Sequence, residues 1–143
     1  MARKYPTRKN VTFILAEDVR AEANKKLMLA GVYNSAYIRV FTKPTDERPA
    51  NLHIMFLFMF RDGEGEFETR IAIIDPDGEK LVASDLGRKS KLPKSSLAMA
   101  YGLIGPHYKK LGTYKAIIQL DDRSYEFEFD IDLEEKGPES SRE

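Results

Sequence analysis

The chain contains no cysteine. That absence excludes a disulfide framework, thiol catalysis and cysteine-ligated zinc and leaves the redox compartment unread; it fits the cytosol, and a cytoplasmic protein is the expectation. An excess of either charge is also missing. Lys plus Arg and Asp plus Glu each number 23, which removes the long-range field of a dedicated nucleic-acid binder. Histidine is scarce, with His53 and His107 alone. Long apolar runs are lacking too. The longest, Ile54 to Phe60, has seven residues, against the roughly 20 that a spanning helix needs. The stretch from Val11 to Ala16 follows the basic residues Arg3, Lys4, Arg8 and Lys9 but is closed at once by Glu17, Asp18 and Arg20, too short for a signal-peptide core. No membrane association is expected.

What is present is enough for one domain. With 143 residues, 42% of them hydrophobic and 32% charged, the chain can bury a core of its own. The pattern divides it into a basic N-terminal arm (1–10), a β-domain (11–133) and a tail (134–143) without an apolar residue, expected to be disordered.

Period two is the dominant signal. Tyr125, Phe127, Phe129, Ile131 and Leu133 alternate with Glu126, Glu128, Asp130 and Asp132, as in a strand with one buried and one wet face. Thr113 to Leu120 precedes it, and Asp121 to Ser124 supplies the turn. Phe67 to Ile74 alternates likewise and runs into Asp75-Pro76-Asp77-Gly78, after which a short strand, Lys80 to Ala83, is expected. Asn51 to Phe60 is apolar on both faces, which predicts a central strand. Val11 to Ala16, Leu27 to Tyr33 and Tyr37 to Phe41 complete the set, and Leu97 to Ile104 reads as helix after Ser95-Ser96 or as strand on account of Gly102 and Gly105-Pro106, with strand preferred. Glu17 to Lys26 is rich in helix formers, so one turn of helix is allowed there. The sum is an all-β, single-domain β-sandwich of 8–9 mostly antiparallel strands, for which an immunoglobulin-like topology is one natural arrangement.

Ile14-Leu15-Ala16-Glu17-Asp18-Val19-Arg20, followed by Lys26-Leu27 and Leu29-Ala30-Gly31-Val32-Tyr33, resembles the opening of an uncharacterised bacterial and prophage-associated β-sandwich family. Its members tend to read EDVRxE and then KxxLxGVY. The resemblance implies a fold and no activity, because one sandwich architecture hosts many functions.

No residue set reads as a catalytic, cofactor or metal site. Glu17 and Asp18 would point to opposite faces of a strand. Asp75, Asp77 and Glu79 have the alternate spacing of a calcium loop, but Pro76 and Gly78 explain them as a tight turn, and calcium wants six to eight oxygens. His107 and Ser96 have no nucleophile-elbow context. Arg88, Lys89, Lys91 and Lys94 form a basic loop (88–94) that could bind an anion or RNA, although such runs are usually solvated. The most informative set is Met55, Leu57 and Met59, opposite Leu52, Ile54, Phe56, Phe58 and Phe60. A two-layer sandwich covers only one face of a strand, so the second apolar face needs a local segment, a second subunit or another protein. A protein-interaction module, self-associating or docking a partner, is the preferred expectation. A ligand-binding, metal-binding or hydrolase domain using loops at one end of the sandwich comes second, and nucleic-acid binding third.

Overall fold

Alternation of large apolar and charged residues favours extended chain, and among the described residues nine strands pack as two sheets. The computed structural model describes residues 3–22, 26–92 and 97–134, with backbone only for 85–92 and 97. In chain order the strands are β1 (Val11–Ala21), β2 (Leu27–Val32), β3 (Tyr37–Val40), β4 (Ala50–Phe60), β5 (Gly65–Ile74), β6 (Lys80–Leu92), β7 (Leu97–Tyr108), β8 (Gly112–Leu120) and β9 (Arg123–Leu133). One sheet has the order β2-β1-β4-β7 and the other β3-β9-β8-β5-β6. All neighbours are antiparallel except β3 and β9. The chain is thus all-β and sandwich-like.

The core lies where the apolar faces meet. Phe56 of β4 sits edge-on to Phe129 of β9 at 5.3 Å between centroids. Phe58 and Phe13 both pack on Phe127, at 5.9 and 5.0 Å. Apart from Phe13, which is half-buried, these rings are buried, as are Ile54, Phe60, Phe67, Ile71, Ile73 and Ile131. Each fully buried side chain of this size contributes about 1.5–3 kcal/mol of burial free energy.

Three expectations are corrected. Residues 17–21 continue β1, because β2 supplies a partner strand in register from Ala16↔Val32 to Ala21↔Leu27. Pairing there overrides helix propensity. Residues 23–25 of that segment lie outside the described residues. The short strand at Lys80–Ala83 runs on to Leu92 as a 13-residue edge strand. The basic segment 88–94 is consequently strand rather than loop up to Leu92. Leu97–Ile104 is strand as expected and extends to Tyr108. The tail 135–143 is outside the described residues.

Residues 3–10 of the N-terminal arm are docked. Lys4 and Glu64 exchange backbone hydrogen bonds at 2.8 Å each, Pro6 is buried, and Tyr5 packs on Phe67 at 4.9 Å.

Candidate interaction surface

The register defines the outer face of the four-stranded sheet. Thr12, Ile14 and Ala16 of β1 pair with Met59, Leu57 and Met55 of β4. Those three pair in turn with Ala98, Ala100 and Gly102 of β7. Val32 of β2 stands beside Ala16. The rows Ile14-Leu57-Ala100 and Val32-Ala16-Met55-Gly102 are therefore uncharged across the sheet. Asp18 and Arg20, joined by a 2.7 Å ion pair, border it.

Met55, Leu57 and Met59 share this face, as the alternation implied, but they are not equally available. Leu57 is 1% exposed and stands apart from the central cluster of buried residues. Met55 and Met59 are half-buried, and the Met55 side chain arches over Gly102, where an added Cβ would meet its sulfur at 2.7 Å. The accessible part is formed by residues that the sequence did not single out: Ala100, Gly102 and Ile104 on β7, and Val32 on β2. Ile104 and Val32 are 46% and 49% exposed. Alternation is hard to see in β7, where Ala98, Ala100, Gly102 and Ile104 on one face alternate with the equally apolar Met99, Tyr101 and Leu103 on the other.

The other outer face is of a different kind. On β9 it carries Glu126, Glu128 and Asp130, in register with Ile117, Lys115 and Thr113 of β8. Such a mixed face is well solvated and needs no cover.

The acids of the β5–β6 turn are organised around a resident cation. Asp75 is buried and accepts the amide N–H groups of Asp77 and Glu79, both at 2.9 Å. Lys110 Nζ lies 3.0 Å from Asp75 Oδ2, 2.6 Å from Asp77 Oδ2 and 3.9 Å from Glu79 Oε2. Partial burial pushes the Asp75 carboxyl up. The hydrogen bonds from Lys110 and the two amides outweigh it and hold the group below its ordinary value. Hydrogen bonds to Asp77 and Asp75 raise Lys110 correspondingly. An ammonium group thus stands where the alternate spacing of acids suggested calcium.

The histidines are held by carbonyls. His53 Nδ1 donates to the Glu17 carbonyl, and His107 Nε2 to that of Ile104 at 2.9 Å. Ser96 and Lys94 lie outside the described residues. Arg88, Lys89 and Lys91 are known by backbone position only, and the register sets Lys89 and Lys91 opposite Glu68 and Glu66 of β5.

The family model that matches this chain covers residues 11–134 and is described as a family of unknown function (DUF6941); the chain belongs to that family. No curated protein matches it.

Proposed function

Membership of a family without an assigned activity leaves function to the geometry, and we propose that this chain is a non-catalytic protein-interaction module with an immunoglobulin-like topology. The observation that carries the interaction reading is the contrast between the two outer faces. One is charged on β9, while the other is apolar over four strands and partly accessible at Val32, Ala100, Gly102 and Ile104. A flat apolar sheet face rimmed by charge is the kind of surface that a partner protein covers. We read the module as cytoplasmic, in keeping with its lack of cysteine.

The topological part rests on strand order and on one tyrosine. Strands β1, β4 and β7 form one sheet, β9, β8, β5 and β6 the other, and β3 crosses over to lie parallel to β9. That is the order of immunoglobulin strands A, B, E against G, F, C, C′, with β2 added beyond A. Tyr114, early in β8, is buried and donates its hydroxyl to the Lys110 carbonyl at 2.6 Å. This matches the tyrosine corner of that fold.

The test uses Ala100→Glu with Ile104→Glu, both exposed positions. Leu57→Glu is unsuitable, since it would place a carboxylate at a buried site and unfold the chain. A partner that forms a stoichiometric complex with purified wild-type chain, and at least tenfold more weakly with the folded double variant, supports the reading. Equal binding by both chains rejects this face as the docking surface.

A further inference from the structure

We propose that Asp77 and Gly78 form a site of spontaneous backbone isomerisation in the folded chain, and that the fold shields Asp62 and Gly63 from the same reaction. In an Asp-Gly step the side-chain carboxyl closes on the following amide nitrogen with least hindrance, because glycine carries no Cβ. The sequence has two such steps, each followed by Glu, at Asp62-Gly63-Glu64 and Asp77-Gly78-Glu79. Unfolded, they are nearly equivalent. Folded, the Asp62 carboxylate receives the Thr7 amide, the Thr7 hydroxyl and the Asn10 amide group at 2.9, 2.7 and 3.1 Å, and Gly63 is buried. Asp77 and Gly78 are both exposed. The Asp77 side chain is 67% accessible and meets Lys110 Nζ at 2.6 Å, an ion pair open to solvent and so a weak restraint. Among the described residues, a Cβ added at Gly78 would meet nothing within 4 Å, which leaves room for a ring.

The Gly78 N–H donates to the Asp75 carbonyl at 3.0 Å, so the turn must first open locally, which an exposed turn does at far lower cost than global unfolding. The Gly78 nitrogen then attacks Asp77 Cγ. An N–Cγ bond forms and a Cγ–O bond breaks, the amide hydrogen and the carboxyl hydroxyl leave together as water, and a succinimide ring results. Water reopens the ring at either carbonyl. Opening at Cγ restores aspartate, whereas opening at the main-chain carbon leaves isoaspartate, whose main chain runs through Cβ and Cγ. No electron is gained or lost, and water is the only co-reactant. The extra main-chain carbon moves the Glu79 N–H away from Asp75, to which it donates at 2.9 Å, so the turn that seats Lys110 loosens.

The test is to hold the full chain at neutral pH in heavy-oxygen water for several weeks, then digest it in ordinary water and fragment the peptides by electron transfer in a mass spectrometer. Heavy oxygen enters a side-chain carboxyl only where a ring has opened, and the fragments distinguish isoaspartate from aspartate, so both steps are read in one sample. In concentrated urea the two steps should react at similar rates. In the folded wild type, Asp77 should react at least about tenfold faster than Asp62, because its turn opens without the rest of the domain. Lys110→Met, confirmed folded by circular dichroism, should raise the Asp77 rate by about two- to fivefold, the scale of an exposed ion pair, and leave the Asp62 rate unchanged. Equal rates at the two steps in the folded wild type overturn the proposal, as does reaction at neither step when urea shows both. A Lys110→Met chain in which both steps accelerate alike also overturns it, since that is the mark of global unfolding. The wild-type comparison needs no variant, so it decides the matter even if Lys110→Met fails to fold.

Discussion

Asp75 uses its carboxylate twice, closing a turn through the amides of Asp77 and Glu79 and holding the Lys110 ammonium group. Lys110 also supplies the carbonyl that receives Tyr114, so the turn, the cation and Tyr114 form one connected unit. Because the folded-state pKa of Asp75 is depressed, its contribution to stability is fully present above the unfolded-state value, about 3.9. It is lost as pH falls through the folded value. The stability difference between wild type and Asp75→Asn should therefore be constant above about pH 5 and shrink below about pH 4, as read by urea unfolding at a series of pH values. Lys110→Met should destabilise the chain at neutral pH by leaving Asp75 buried without its cation. Tyr114→Phe removes the hydroxyl's short bond to the Lys110 carbonyl and the long one, 3.4 Å, that it accepts from the Lys110 amide, and it leaves the ring in place between Tyr108 and Phe129. It should cost about 1–2 kcal/mol in chemical denaturation.

Among the elements, β4 shows why an apolar face is not the same as an available one. Leu57 lies on the outer side of its sheet, yet it is as buried as Phe58 on the inner side. Leu57→Ala should therefore behave as a core truncation, costing about 2–5 kcal/mol, whereas Ala100→Ser on the exposed neighbouring strand should change stability by less than about 0.5 kcal/mol. Thermal or urea unfolding of the two variants checks the contrast. The alternation that revealed β5 and β9 was legible because one face of each meets the other sheet, whereas β4 stood out as a run apolar on both faces. β6 beyond Ala83 was not legible. Its residues Ser84 to Leu92 are mostly polar or charged, with Leu86 and Leu92 out of any alternation, and they are strand because β5 offers a ladder from Gly65 to Ile74. The same holds for residues 17–21, where the partner β2 decides against helix. The face of Met55, Leu57 and Met59 could be read from period two, but its accessible rim could not, since that depends on which strands lie beside β4.

At the scale of the molecule, the segment that matches the family begins at residue 11, while the sandwich depends on residues before it. Asp62 receives the Thr7 amide at 2.9 Å, the Thr7 hydroxyl at 2.7 Å and the Asn10 amide group at 3.1 Å. These bonds outweigh partial burial, and the carboxyl sits below its ordinary value. Tyr125 donates to the Pro6 carbonyl at 2.7 Å. Tyr5 lies on Phe67, with the Arg123 guanidinium 4.2 Å from its ring centroid. Arg8 covers Phe127 at 4.0 Å and bonds the Glu126 carbonyl at 3.1 Å. Removing the arm would thus wet two core aromatics and leave Asp62 without three donors. A chain of residues 11–143 should be less stable than the full chain by on the order of 2–4 kcal/mol, from lost apolar burial and hydrogen bonds together. Urea unfolding at neutral pH measures it. A difference under about 0.5 kcal/mol, within the range of ordinary surface changes, would mean that the sheets close over Phe67 and Phe127 unaided. At the predicted value, the arm is part of the domain, and the matched segment alone is an incomplete folding unit.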